Sequence, residues 1–129
     1  MVHYSYMTKT LLLAEDEQGL REVLEDRFSE DGWKVVAVKD GEEAIIALRH
    51  QVFDLFILDL LMPNKDGFEV LTEMRSSPAT QKTPVIVLSS LGTDDDIKHA
   101  LKLGATDYFV KSQHPIGEVL EKAKAYITR

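Results

Sequence analysis

Five times along the chain a short apolar run gives way to a helical pattern, and this alternation leaves few folds open. The first run, residues 10–14, stops at Glu15-Asp16-Glu17. Leu20, Val23, Leu24 and Phe28 then mark one face of a helix, closed by Asp31-Gly32. Residues 33–38 form a second strand, broken by Asp40-Gly41, and Ala44, Ile45 and Leu48 mark a second helix. The third run, Leu55, Phe56, Ile57 and Leu58, suits a strand buried on both faces of a parallel sheet. After the turn-forming series Asn64-Lys65-Asp66-Gly67, a third helix carries Phe68, Leu71 and Arg75 on one side, Val70 and Met74 beside them, and Pro78 beyond its end. Pro84 starts a fourth strand, residues 85–88, continuing into Ser89-Ser90. Thr93-Asp94-Asp95-Asp96 opens a fourth helix, where acids favour the positive end of the dipole. Ile97, Ala100 and Leu101 form its apolar stripe and Gly104 its stop. Tyr108-Phe109-Val110 is the fifth strand, ending in Lys111. A last helix from about Pro115 places Ile116, Val119, Leu120, Ala123 and Ile127 at helical spacing.

Strict β-α alternation with short connections implies a parallel sheet and right-handed crossovers. Five units are too few for an eight-stranded barrel. What remains is an α/β, doubly wound, five-stranded sandwich of (βα)5 flavodoxin-like type, strand order 2-1-3-4-5. A length of 129 residues and 44% apolar content suit one soluble domain.

No apolar run approaches the roughly 20 residues needed to span a bilayer. MVHYSYMTKT lacks the apolar core of a signal peptide and reads as a flexible leader, with Met7 as an alternative start. The absence of cysteine excludes thiolate metal sites and fits a cytoplasmic location. A net charge of −7 argues against nucleic-acid binding, which needs cations to neutralise phosphates. It suits a protein that binds a divalent cation and docks on partners. His3, His50, His99 and His114 are scattered without ligand spacing and read as surface residues.

Chemistry concentrates at the strand ends. Strand one ends in Glu15 and Asp16, strand three in Asp59, strand four in Ser89 and strand five in Lys111. Alone, each has an ordinary explanation: a solvated loop acid, a turn-capping aspartate, a small strand-end serine, a solvated lysine. Glu17 reads best as a helix-start acid, and Ser90 stands beside Ser89 as an alternative hydroxyl. In the 2-1-3-4-5 order, however, strands one and three are neighbours, so their acids share one pocket. Crowded carboxylates repel, and a hard divalent cation removes that conflict. Oxygen-only ligands favour Mg²⁺ over zinc. Carboxylate, magnesium, lysine and hydroxyl together suit phosphoryl transfer, with the carboxylate as acceptor.

The segments LLLAEDE, LFILDLLMPNKDGFEVL, TPVIVLSS and GATDYFVK, in that order, resemble a response-regulator receiver domain, the family of the bacterial chemotaxis regulator. The resemblance covers about residues 9 to 127, which makes 1–8 a leader and 9–129 the receiver domain. It implies that Asp59 is the phosphorylated aspartate. Asp16 would be the direct Mg²⁺ ligand (Mn²⁺ substituting), Glu15 the acid acting beside it through water, and the Leu61 backbone carbonyl the main-chain ligand. Ser89 would be the hydroxyl that shifts toward the phosphoryl group, Lys111 its cationic partner, and Tyr108 the aromatic switch residue. The partner would be a histidine kinase or histidine phosphotransfer protein. The output surface would be the face of the fourth helix, fifth strand and fifth helix, including Tyr108, Ala100, Lys102 and Lys122, and it would meet a protein target or a second copy. Neither nucleic acid nor membrane would be a partner. Such a switch is not an enzyme beyond promoting its own phosphorylation and dephosphorylation. Leu61 and Leu91 stand where family side chains line the path of attacking water, which implies a long-lived phosphorylated state. The family often has a cis proline after the lysine; here Ser112 follows.

Three other readings compete. A haloacid-dehalogenase-like phosphatase needs a second acid two residues after the nucleophile, where Leu61 stands. A flavin-binding loop would not carry Glu15-Asp16-Glu17 against a phosphate. An interaction module that keeps the fold without phosphorylation would be expected to lose the acids or Lys111.

Overall fold

The computed structural model describes residues 8–127. Most of the expected leader, with His3 and Met7, lies outside the described residues, as does the side chain of Ile127. The elements alternate without exception: β1 (Thr10–Ala14), α1 (Gln18–Glu30), β2 (Lys34–Val38), α2 (Gly41–His50), β3 (Leu55–Leu58), α3 (Gly67–Ser76), β4 (Val85–Ser89), α4 (Asp94–Lys102), β5 (Asp107–Val110) and α5 (Ile116–Ile127). All pairings are parallel, and the strand order is β2-β1-β3-β4-β5, as the alternation predicts.

The sheet is buried on both sides, and the two-residue period of a strand divides its side chains between two cores. Leu12, Ala14, Phe56, Leu58, Val85 and Val87 face α2, α3 and α4, where they meet Ala44, Val70, Leu71, Met74 and Ala100. Leu11, Leu13, Leu55, Ile57, Ile86 and Leu88 face α1 and α5, against Leu24, Phe28, Val119 and Ala123. Burying such a side chain contributes about 1.5–3 kcal/mol, so the continuous apolar runs of β1, β3 and β4 carry much of the stability. Among the described residues no helix is long and apolar enough to cross a membrane.

Polar residues stop and start the helices. Asp40 caps α2 by accepting from the Glu43 amide at 2.8 Å, and Asp66 with Glu69 forms a capping box on α3. Thr93 caps α4 through the Asp96 amide. Arg75 does more than the sequence suggests. Its guanidinium donates to the carbonyls of Thr80, Gln81, Thr83 and Gly104, tying the end of α3 to the entry of β4 and the α4–β5 turn.

Some expectations need correction. Val23 is 46% exposed, because α1 faces the sheet through the i, i+4, i+8 row of Leu20, Leu24 and Phe28. On α4, Ala100 is fully buried and Leu101 is 45% exposed, so Ala100 cannot belong to an exposed output surface. These two neighbours point about 100° apart on the helix, and only the smaller one fits beneath it. Trp33 is not in β2: its amide bonds back to the Phe28 carbonyl as part of the α1 exit, and pairing begins at Lys34. His50 and His99 are exposed, but His114 is half-buried, and its Nδ1 accepts from the Val110 amide at 3.0 Å.

Candidate functional site

The site lies beyond the C-terminal ends of the strands, at the point where strand order reverses between β1 and β3. The apolar run of β1 ends in Glu15, whose amide bonds to the Val38 carbonyl, and the run of β3 ends in Asp59, whose amide bonds to the Ala14 carbonyl. The sheet therefore places both acids by extending its own ladder. Glu15 and Asp59 are 1% and 3% exposed, while Asp16, on the loop, is exposed. One carboxylate oxygen from each of the three lies within 4.8 Å of the others.

Buried carboxylates need partners. Lys111, just past β5, supplies a shared one: its Nζ is 2.8 Å from Glu15 Oε1 and 2.8 Å from Asp59 Oδ2. The remaining oxygens accept backbone amides, Glu15 Oε2 from Glu17 at 3.0 Å and Asp59 Oδ1 from Leu61 at 3.1 Å. Burial still pushes the Glu15 carboxyl above the ordinary glutamate value, against the opposing hydrogen bonds from Lys111 and Glu17. Burial alone would lower the Lys111 pKa, but the bonds and charges of Asp59 and Glu15 outweigh it and hold it above the ordinary lysine value.

Three carboxylates against one ammonium leave an uncompensated charge equal to that of one divalent cation. The donors are all oxygens, with no histidine or cysteine among them, which suits Mg²⁺ or Mn²⁺. Arg21, which carries no sign of this role in the sequence, donates from α1 to the carbonyls of Glu15 and Asp16 at 2.9 and 3.2 Å, fixing the loop that presents the two acids.

Ser89 closes β4, the strand between those leading to Asp59 and Lys111. It is fully buried and Ser90 is exposed, which separates the two hydroxyls that the sequence leaves open. Ser89 Oγ accepts from the Leu91 amide at 3.3 Å, and the Tyr108 hydroxyl donates to the Leu91 carbonyl at 2.6 Å. Ser89, Leu91 and Tyr108 thus form one connected series. Burial, with Asp96 second, raises the Tyr108 pKa. No peptide bond among the described residues is cis, so Lys111–Ser112 is trans.

A groove of about 290 Å³ runs past Asp16 and Leu61 and is lined by Met62, Pro63, Asp66 and Phe68. A cavity of about 420 Å³ between α2 and α3 holds none of these site residues.

A family model described as a response regulator receiver domain matches residues 11–123. The chain is 42% identical over 101 residues to the transcriptional regulatory protein CiaR of Streptococcus pneumoniae, covering 78% of this chain and 44% of that protein. It thus spans less than half of that relative's length. The phosphorylated cyanobacterial phytochrome response regulator RcpA superposes with a TM-score of 0.78 at 33% identity, over 92% of this chain and 90% of that one. The receiver domain of sensor histidine kinase PA1611 from Pseudomonas aeruginosa PAO1, with magnesium coordinated in its active site cleft, gives 0.85 at 25% identity, over 95% and 99%. The family match runs from β1 into α5 and takes in every strand end described above, so the chain belongs to the response regulator receiver domains, the phosphoacceptor modules of two-component signalling.

Proposed function

We propose that Asp59 accepts a phosphoryl group from a phosphohistidine on a histidine kinase or phosphotransfer protein, and that the modified chain signals through protein contact. The observation that carries this reading is the convergence of Glu15, Asp16 and Asp59 on one point, with Lys111 held between two of them. An Asp59 carboxylate oxygen attacks phosphorus, the phosphorus–nitrogen bond breaks, and the imidazole leaves with its electron pair and takes up a proton. The residues act mainly by positioning and charge neutralisation. Glu15, Asp16, Asp59 and the Leu61 carbonyl would hold Mg²⁺, which when bound offsets the negative charge on the transferring oxygens. Lys111, already beside Asp59, then pairs with the new phosphoryl oxygens.

The phosphoryl group carries about two negative charges where the Asp59 carboxylate carried one, a net gain of about one, together with three new acceptor oxygens. Ser89, drawn toward that group as a hydrogen-bond donor, would give up the Leu91 amide that it now accepts. Tyr108 holds the other end of the same residue, so the change reaches the α4–β5–α5 face. On that face Lys102 and Lys122 are exposed, and Leu101 takes the place that Ala100 cannot fill.

The deciding experiment is incubation with a small acyl-phosphate donor, with and without Mg²⁺, read by intact mass. Uptake should require both the metal and Asp59, and Asp59→Asn should remain folded and unmodified. Unchanged uptake in Asp59→Asn would remove the assignment. No uptake by the wild type, with its fold intact, would favour a phosphorylation-independent interaction module. Asp16→Asn should weaken Mg²⁺ strongly in calorimetry and Glu17→Gln hardly at all.

A further inference from the structure

Asn64 is the only non-glycine among the described residues with positive φ, at 70°. Asparagine tolerates this left-handed conformation better than most residues, but something must select it. The conformation turns the loop after β3 back on itself, with the Lys65 amide on the Pro63 carbonyl at 2.8 Å. It also aims the side chain at a distant partner. Asn64 Nδ2 donates to Asp40 Oδ2 at 2.8 Å, across 24 positions of sequence. Asp40 is 5% exposed and uses both oxygens, Oδ1 accepting from Glu43 as the cap of α2 and Oδ2 from Asn64.

Next to that bond the loop rests on α2 with no spare room: a Cβ on Gly41 would stand 1.8 Å from the Lys65 carbonyl oxygen. At the loop's far end the Gly67 amide donates to the Leu60 carbonyl at 3.1 Å, and a Cβ on Gly67 would stand 2.3 Å from the Asp59 carbonyl oxygen. Leu61 lies between these two fixed points, and Asp59 stands at the second. Neither Asp40 nor Asn64 is hydrogen-bonded to Glu15, Asp16 or Lys111 among the described contacts; Asn64 reaches the site through the loop, and Asp40 through the loop and through the end of β2, where the Val38 carbonyl accepts from the Glu15 amide.

We propose that Asp40 and Asn64 form a latch that seats the phosphoacceptor loop on the start of α2, which makes both of them positioning residues for the metal and the phosphoryl group; this rests on the function proposed above. The bland alternative is that Asp40 only caps α2. The two roles separate because they use different oxygens. Asp40→Ser keeps an acceptor for the Glu43 amide and loses the one for Asn64. Asn64→Gly keeps the backbone conformation, loses the amide and changes no charge.

The test measures Mg²⁺ affinity by NMR titration, and exchange of the Leu61 and Gly67 amides without metal, in the wild type, both single variants and the double. Each single variant should bind Mg²⁺ about tenfold more weakly, in the range for residues that orient metal ligands. The double should be no weaker than the worse single, because both changes break one contact. The Leu61 and Gly67 amides should exchange severalfold faster, while Leu12 in the sheet should not change. Mg²⁺ affinity and loop exchange that both stay within about twofold of wild type would overturn the latch, and so would additive losses. A wild type that binds no Mg²⁺ would defeat the reading of the site, and the latch would then stand or fall on exchange alone.

Discussion

Two loops border the pocket, and they are held very differently. The β3–α3 loop, from Asp59 to Asp66, is fixed at almost every step: Leu61 to Asp59, Asn64 to Asp40, Lys65 to Pro63 and Gly67 to Leu60. Gly41 and Gly67 let backbone approach where a side chain would collide with backbone. The β4–α4 loop is shorter and looser. Leu91 is held by a long 3.3 Å bond from its amide to Ser89 and by the Tyr108 hydroxyl at its carbonyl. A Cβ on Gly92 would meet only the two Val110 methyls, at 3.2 and 3.8 Å. A loop that presents a nucleophile and a metal ligand gains from rigidity. A loop that must report a change needs two arrangements of similar energy. On the function proposed above, the β3–α3 loop would be the first kind and the β4–α4 loop the second.

The same substitution in the two loops gives the largest expected contrast. Gly67→Ala forces a methyl against the backbone of Asp59 and Leu60 and should destabilise the domain by about 3 kcal/mol, the upper range for overpacking. Gly92→Ala meets a side chain rather than backbone and needs Val110 to give only a few tenths of an ångström, so it should cost about 1 kcal/mol or less. Urea unfolding of both variants measures the difference, and equal losses would erase the contrast.

Each loop also carries one leucine near the site: Leu61, 48% exposed, lines the groove beside Asp16, and Leu91, two residues after Ser89, is half-buried against the core. Neither can hold an attacking water. If Asp59 is phosphorylated as proposed, Leu61→Asn with Leu91→Glu should lose phosphate clearly faster, since polar groups that orient a proton-transferring water contribute ~10²-fold or more. The half-life of the phosphorylated protein reads this directly, and an equal or longer half-life would show that the leucines do not control water access.

Tyr108→Phe removes one hydrogen bond from the looser loop at a cost of about 1 kcal/mol. Amide exchange should rise around Leu91 and stay constant from Leu60 to Gly67. A rise in both loops would mean that they are not independent.

The smallest effect is one of pH. The Glu43 amide, and then Asn64, hold the Asp40 carboxyl below the ordinary aspartate value despite its burial. A lowered native pKa means that the unfolded chain takes up the proton first. Asp40 therefore contributes stability that is present above the ordinary aspartate range and lost as pH falls through its native pKa. Thermal melts below pH 4 should fall less steeply for Asp40→Ser than for wild type, roughly the range set by an unperturbed aspartate. Parallel curves would deny Asp40 that role.

The sequence by itself determined the layer structure and the location of the chemistry. Apolar runs longer than one face requires, as in Leu55 to Leu58, can be satisfied only by a sheet covered on both sides. Strict alternation of such runs with helices makes that sheet parallel, and this brings Glu15, Asp16, Asp59, Ser89 and Lys111 to one edge whatever the details. These features are local and periodic, and local periodicity survives in a linear string. What only the tertiary structure decided are choices between residues that the period treats alike, and partnerships across long gaps. Val23, Ala100 and Leu101 all fit an apolar stripe, and the face that each helix turns to the sheet settled which were buried. Ser89 and Ser90 were separated by where β4 ends. Arg75 reached the Gly104 carbonyl across 29 positions, and Asn64 reached Asp40 across 24. A turn residue and a helix cap are each legible one at a time, but their hydrogen bond exists only because β1 and β3 are neighbours and hold the third loop against the start of the second helix.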